Sequence, residues 1–184
     1  MPDSGPRDRA SRGNEGIIFV LGGARSGKSR FAESLVESLQ PPWVYIATAE
    51  AHDDEMAARI AEHQARRASS WQTLEAAHEL HVAIRGAPED AIVLVDCLTL
   101  WLSNIMHGPY DVGDATAQLE DALRTRKKAT VLVSNEVGLG LVPETPLGRA
   151  FRDSQGRLNQ RIAAVADRVI FVVAGQPLIV KGNA

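Results

Sequence analysis

The chain has little of three things that would place it in a special class of proteins. It contains one cysteine, Cys97, so no intrachain disulfide can form. No apolar run approaches the roughly 20 residues of a membrane span or follows a basic start like that of a secretory signal. Basic residues are not in excess, because 20 Lys and Arg face 23 Asp and Glu. The sequence therefore predicts no membrane span, no nucleic-acid partner and a cytoplasmic location.

What the chain does have is enough length and apolar content for one sizeable core. Its 184 residues are 45% hydrophobic, which suits a single domain better than two. Residues 1–15 hold Pro, Gly, Ser and charge with almost nothing apolar, so we expect a disordered leader there, or alternatively a weak basic interaction tail. A single folded domain is expected over 16–184.

Short β-branched runs alternate with helix-like segments, which is typical of an α/β fold with a mostly parallel sheet. Strands are predicted at 17–21, 43–47, 91–96, 130–134 and 168–173, and helices at 29–39, 53–67, 74–85, 113–127 and 147–166. The last apolar run, 177–181, follows the fifth strand too closely for a crossover, so we expect an antiparallel edge strand. The predicted architecture is a three-layer sandwich of helices, sheet and helices.

The stretch "GGARSGKS" has the spacing of a phosphate-binding P-loop, with a predicted strand before it and a helix after it. Lys28 should reach the β- and γ-phosphates, and the Ser29 hydroxyl should contact Mg²⁺. The plain alternative is a glycine-rich turn with a surface lysine. Asp96 ends the third predicted strand, where a carboxylate can hold Mg²⁺ or its waters. A helix cap is the competing interpretation, although Thr99 could serve that purpose instead.

One histidine of the five stands out. On a helix, His63 shares a face with Arg59 and Arg66, and two nearby cations favour a neutral imidazole with a free lone pair. Arginines could clamp phosphate oxygens while such an imidazole attacks phosphorus. The alternative is a solvated charged face in which Glu62 balances some of the charge.

Taken together, several stretches resemble one family, the bifunctional adenosylcobinamide kinases / adenosylcobinamide-phosphate guanylyltransferases of cobalamin biosynthesis. The resemblance covers about residues 17–182 and rests on "VLGGARSGKSRFAE", "YIATAEAHDDEMAARIAEHQARR", "WQTLE", "VLVDCLTLWLSN", "VLVSNEVGLGLVPETPLGRAFRD" and "GRLNQRIAAVADRVIFVVAG". It implies a RecA-like P-loop NTPase fold and two reactions. One phosphorylates adenosylcobinamide, and the other transfers GMP from GTP to the resulting phosphate through a guanylyl-histidine, giving adenosylcobinamide-GDP and pyrophosphate.

The resemblance also assigns site residues. It places the guanylylated histidine at His63, while Ser29 and Asp96 remain the metal ligands that the P-loop spacing and the strand end predict. Nucleotide contacts fall on Gly22, Gly23, Ala24, Arg25, Ser26, Gly27, Lys28, Ser29, Thr48, Ala49, Glu50, Gln64, Ala65, Arg66, Arg67, Glu75 and Asp96. Glu75 could otherwise be a carboxylate favoured by a helix N-terminus. Expected ligands are GTP, ATP, Mg²⁺, adenosylcobinamide and its phosphate, and the resemblance implies a homo-oligomer, a trimer in family members.

Some questions stay open at the level of the sequence. Asn135 and Glu136 follow the fourth predicted strand, and a substrate-positioning or kinase role fits them as well as a plain turn does. The same alternatives apply to Arg152 and Asp153. A simpler P-loop kinase in which His63 is structural, and a RecA-like ATPase that drives a conformational change, are the rival functions. A stable protein–GMP adduct is expected only for the guanylyltransferase.

Overall fold

The computed structural model describes residues 16–50 and 70–183, so the predicted leader and the predicted helix at 53–67 lie outside the described residues. Seven strands are present in this part of the chain: β1 (Ile17–Gly22), β2 (Trp43–Ala47), β3 (Trp71–Glu75), β4 (Ile92–Asp96), β5 (Thr130–Asn135), β6 (Arg168–Val173) and β7 (Gln176–Lys181). The helices described there are α1 (Lys28–Glu37), α2 (Leu80–Gly86), α3 (Leu98–His107), α4 (Val112–Thr125) and α5 (Pro146–Val165).

All seven strands form one sheet in the order β3-β2-β4-β5-β1-β6-β7. Strands β1 to β6 run parallel, and β7 pairs antiparallel with β6 across a two-residue turn. Ala174 and Gly175 form this turn with φ values of 50° and 78°, the backbone conformation that a tight hairpin requires. The predicted mostly parallel sheet with an antiparallel C-terminal edge strand is therefore confirmed.

Helices cover both faces of the sheet, which explains why its strands are uninterrupted apolar runs. Along β5, Val131 and Val133 pack with Ala32 and Val36 of α1 on one face, whereas Leu132 packs with α3 and α5 on the other. Side chains alternate between the faces with a period of two. Two buried clusters, one on each side of the sheet, thus form the core of the three-layer sandwich.

The sequence-based prediction missed two elements. Residues 74–85 were predicted as one helix, but Leu74 and Glu75 end β3 and α2 begins only at Leu80. β3 was not predicted because it is an edge strand whose Gln72 and Thr73 are exposed, so it lacks the apolar pattern of a buried strand. It is anchored through Trp71, whose ring packs on that of Trp43 at 5.5 Å and whose Nε1 donates to Glu37.

The second element that was not predicted is α3. Its apolar residues follow β4 with only Cys97 between them, and Cys97 is not a favourable capping residue, so the sequence does not mark where the helix begins. His107 is the last residue of α3, and its Nδ1 lies 2.8 Å from the Ser103 carbonyl oxygen. Within the described ranges, no helix is both long and apolar enough to cross a bilayer.

Candidate functional site

The loop between β1 and α1 has the strand–loop–helix context that a phosphate site needs. Gly22 ends β1 and Lys28 begins α1, while Gly27 adopts a left-handed conformation with φ of 92°. The Ser26 N–H donates to the Gly23 carbonyl oxygen at 3.3 Å, and Phe31 closes the first helical turn onto Gly27. The loop is thus a compact turn that ends at a helix N-terminus, where backbone N–H groups and the helix dipole favour anions.

Close approach of neighbouring backbone explains two of the glycines. A Cβ on Gly22 would lie 2.7 Å from the carbonyl oxygen of Val172, and a Cβ on Gly27 would meet the Cα of Gly175 at 3.3 Å. The Gly175 N–H also donates to the Ser26 carbonyl oxygen at 2.8 Å. The β6–β7 turn therefore braces the phosphate loop, a contact over about 150 residues of sequence that local pattern could not indicate.

Lys28 is not on the surface, so the alternative of a glycine-rich turn with a surface lysine is wrong. Its side chain is buried, and its Nζ donates to the Gly23 carbonyl oxygen at 3.2 Å. Burial lowers the pKa of Lys28, and the negative charge of the nearby Asp96 carboxylate opposes that shift. A desolvated ammonium group held over the loop gains a strong partner when a phosphate arrives.

Asp96 lies at the carboxyl end of β4 and faces the side of the sheet that carries α1. The alternation along β4 sets this direction, since Leu94 two residues earlier packs in the α1 cluster. The Tyr45 hydroxyl donates to Asp96 Oδ2 at 3.3 Å. The residue that caps α3 is Cys97, without a side-chain capping bond, so neither Asp96 nor Thr99 serves as the helix cap that the sequence left open.

Thr48 and Cys97 are bonded to each other beneath this edge. The Thr48 hydroxyl donates to the Cys97 carbonyl oxygen at 2.7 Å and accepts from the Cys97 N–H at 2.8 Å, and Asn104 Nδ2 donates to the Thr48 carbonyl oxygen at 2.9 Å. Thr48 is fully buried, and its hydroxyl holds the backbone of Cys97, the residue after Asp96, in place. Burial, together with the nearby Asp96 carboxylate, raises the pKa of Cys97 to about 11, which keeps the thiol protonated.

The remaining predicted contacts are spread along the same edge of the sheet. Ala47 aligns with both Asp96 and Glu75, so these two carboxylates end strands on either side of β2. Glu75 is exposed at the end of β3, so the alternative of a helix N-terminal carboxylate is wrong. Ala49 and Glu50 are half-buried, and Glu50 Oε1 lies 3.9 Å from His78 Nδ1. Lying outside the described residues are His63, Gln64, Ala65, Arg66 and Arg67.

Asn135 and Glu136 do lie beside the phosphate loop. Asn135 is opposite Gly22 in the β1–β5 register, and the Glu136 N–H donates to the Gly22 carbonyl oxygen at 3.1 Å. Arg152 and Asp153 instead pair with each other on α5 at 3.5 Å. The structure thus brings together Lys28, Asp96 and Asn135 at the carboxyl edge of three neighbouring strands, where ligands of open parallel sheets bind.

Solved structures share this fold at low sequence identity. The flagellar accessory protein FlaH from Methanocaldococcus jannaschii is 14% identical and matches with a TM-score of 0.54 over 91% of this chain and 79% of its own. A prototypical ATPase of the type III secretion system of pathogenic bacteria is 12% identical, with a TM-score of 0.55 over 85% of this chain and 50% of its own. These likenesses concern the fold alone and confirm the predicted RecA-like P-loop NTPase architecture.

Sequence relatives are far closer. The bifunctional adenosylcobalamin biosynthesis protein CobP of Pseudomonas aeruginosa is 46% identical over 168 residues, covering 90% of this chain and 97% of the relative. The corresponding protein CobU of Salmonella typhimurium is 42% identical over 182 residues, covering 90% and 99%. The sequence model described as cobinamide kinase / cobinamide phosphate guanyltransferase matches residues 18–180. The chain therefore belongs to the cobinamide kinase / cobinamide phosphate guanyltransferase family.

Proposed function

We propose that this protein is a bifunctional transferase of cobalamin biosynthesis. It phosphorylates adenosylcobinamide with ATP or GTP and then transfers GMP from GTP to the product, releasing pyrophosphate and giving adenosylcobinamide-GDP. The observation that carries the proposal is the buried Lys28 at the end of a strand–loop–helix phosphate cradle, with Asp96 on the same side of the sheet. Family membership supplies the acceptor class, since the family and its relatives are named for cobinamide and adenosylcobalamin.

Mg²⁺ suits the donor groups at this edge. Ser29 follows Lys28 in the first turn of α1, and Asp96 offers a carboxylate on the α1 side of the sheet. Mg²⁺ is usually held by one or two such hard oxygen ligands together with substrate phosphates and waters. When bound, the ion neutralises charge on the phosphate oxygens.

The guanylyl transfer divides into two displacements at the α-phosphorus. First, a neutral nitrogen of His63 attacks that phosphorus, the bond to the bridging α–β oxygen breaks, and pyrophosphate leaves with the electron pair. Next, a phosphate oxygen of adenosylcobinamide phosphate attacks the same phosphorus and the N–P bond breaks. The phosphate loop and Lys28 stabilise the leaving pyrophosphate by charge and hydrogen bonding. Each step inverts configuration, so the overall transfer retains it.

The first experiment is incubation with Mg²⁺ and GTP labelled at the α-phosphorus, followed by denaturing separation. Wild-type protein should retain label that is lost in acid and kept in alkali, as a phosphoramidate requires, and His63→Ala should retain none. His107→Ala is the matched control, because this exposed histidine at the end of α3 should keep the full label.

The same experiment separates the rivals. A plain kinase would carry no label while it forms cobinamide phosphate, and a conformational ATPase would hydrolyse nucleotide without a labelled acceptor. Folded wild-type protein that binds GTP but never becomes labelled would refute the covalent mechanism. The cytoplasmic location and the trimer stay predictions, and the oligomeric state can be measured by light scattering.

A further inference from the structure

Asn135 occupies a central place among the three strands of the candidate site. It ends β5, which lies between β1 with the phosphate loop and β4 with Asp96. Its Cα is paired with that of Gly22, and Val133 two residues earlier is paired with Asp96. Because Val133 packs in the α1 cluster, the alternation along β5 directs the Asn135 side chain to the same side as Asp96 and the start of α1.

The backbone of Asn135 is held by a network of buried polar side chains on the opposite face of the sheet. Its N–H donates to Thr99 Oγ1 at 2.8 Å, and its carbonyl oxygen accepts from Asn159 Nδ2 at 3.1 Å. Gln155 Nε2 donates to both Ser134 Oγ and Asn159 Oδ1, each at 2.9 Å. Ser134 and Gln155 are fully buried. These buried polar side chains hydrogen-bond one another, and together they fix the position of the Asn135 backbone.

The side chain of Asn135 takes no part in that network. Among the residues that the structure describes, none hydrogen-bonds its amide, and its Oδ1 is buried without a partner. The amide oxygen and nitrogen exchange places when the group turns by 180°, so the Nδ2 donors can be presented to a phosphate oxygen without breaking a bond to any described residue.

We propose that the Asn135 amide donates a hydrogen bond to the γ-phosphoryl group of the bound nucleoside triphosphate and orients it for the kinase reaction. This inference rests on the proposed function and deepens it. A γ-phosphate contacted by Lys28 and by a metal at Asp96 has to lie between the ends of β1 and β4, over the end of β5. The guanylyl transfer takes place at the α-phosphorus, which the β-phosphate separates from the γ-phosphoryl group. Asn135 therefore distinguishes the two reactions that share one phosphate cradle.

Asn135→Ala should separate the two turnover numbers. We expect the kcat for phosphorylation of adenosylcobinamide to fall about 100-fold, because a misplaced reacting group costs roughly that factor. The kcat for guanylyl transfer to adenosylcobinamide phosphate at saturating GTP should stay within about threefold, while the KM for GTP rises in both reactions. Ser134→Ala is the matched control: it disturbs the buried network from the face opposite the ligand, so it should lower Tm and leave the ratio of the two kcat values unchanged.

Nucleotide affinity tests the contact independently of either activity. With Mg²⁺, Asn135→Ala should weaken GTP binding about tenfold and GDP binding by less than twofold, because only GTP carries the γ-phosphate. Equal losses of both kcat values, or of both affinities, would assign Asn135 a structural role and overturn the proposal. If the wild-type protein formed no cobinamide phosphate, the proposed function would fail, and the GTP-to-GDP comparison would still decide the place of Asn135.

Discussion

At the scale of single residues, the site depends on a few polar groups whose burial costs free energy of folding. Lys28 shows this most clearly, since its side chain is buried and, among residues 16–50 and 70–183, its ammonium group hydrogen-bonds to the Gly23 carbonyl oxygen. A bound phosphate would supply the partner that the unliganded loop lacks. The buried charge therefore lowers the stability of the unliganded protein, whereas the same charge raises its affinity for nucleotide.

Lys28→Met tests that opposition. The unliganded variant should have a Tm equal to or above that of the wild type, because methionine removes a desolvated charge and keeps the apolar stem. Its affinity for Mg²⁺·GTP should fall by about 10- to 100-fold, as expected for losing a charged hydrogen bond. Thermal melts and calorimetric titration measure the two quantities. A lower Tm with unchanged affinity would contradict this account.

The pH dependence of Lys28 has a definite sign. Because the pKa of Lys28 is lowered in the folded state, the unfolded chain binds more protons between that lowered pKa and 10.5. Across this window the contribution of Lys28 to the stability of the unliganded protein rises with pH, while affinity for GTP falls as the positive charge is lost. Lys28→Met should show neither trend.

At the scale of elements, strands and loops that face the core or a ligand were predictable, and those held by distant partners were not. β2 and β6 occupy the ranges 43–47 and 168–173 predicted from apolar runs. The phosphate loop was predicted from glycine spacing. The support of that loop by Gly175, and of Asn135 by Thr99 and Asn159, was not predictable, because each bond joins segments that meet only after folding.

Arg126 illustrates an element fixed by one distant side chain. It follows α4, and its guanidinium group donates to carbonyl oxygens in and just after α2, those of Ile84, Ala87, Pro88 and Ala91. These acceptors lie where a helix end leaves carbonyl groups without partners. The planar guanidinium group, with five donors, suits this cluster in a way that lysine does not.

Arg126→Met should lower the free energy of unfolding by about 1–3 kcal/mol, since several partly buried carbonyl groups lose a charged donor. Arg124→Met on the same helix is the control. Among the described residues Arg124 pairs with Glu120 alone, an exposed i, i+4 contact at 3.5 Å, so its loss should cost less than about 0.5 kcal/mol. Urea unfolding at constant m-value measures both variants. Equal losses would show that the carbonyl cluster is adequately hydrated without Arg126.

At the scale of the whole molecule, the phosphate cradle joins parts of the chain that are far apart in sequence. The loop belongs to residues 22–29, its carboxylate to β4, its unused amide to β5 and its brace to the β6–β7 turn. A ligand bound there contacts or stabilises most of the sheet. Nucleotide binding should therefore stabilise the fold as a unit rather than one segment of it.

We expect Mg²⁺·GTP at 100 times its Kd to add about 2.7 kcal/mol to the free energy of unfolding. For a chain of this size that corresponds to a rise in Tm of about 5–11 °C. Differential scanning calorimetry measures the shift. Lys28→Met at the same GTP concentration should show a much smaller one. A wild-type Tm that does not respond to saturating GTP would argue against nucleotide binding at this loop.

The position of β1 in the middle of the sheet also bears on how the protein is made. β1 pairs with β5 and β6, and the Ile17 N–H donates to Asp167 Oδ2 across 150 residues of sequence. A ribosome adds about 5–20 residues per second and reaches β5 more than 100 residues after β1, so a nascent chain carries its phosphate loop for several seconds before either neighbouring strand exists. During synthesis, the phosphate loop is therefore made well before it can become functional.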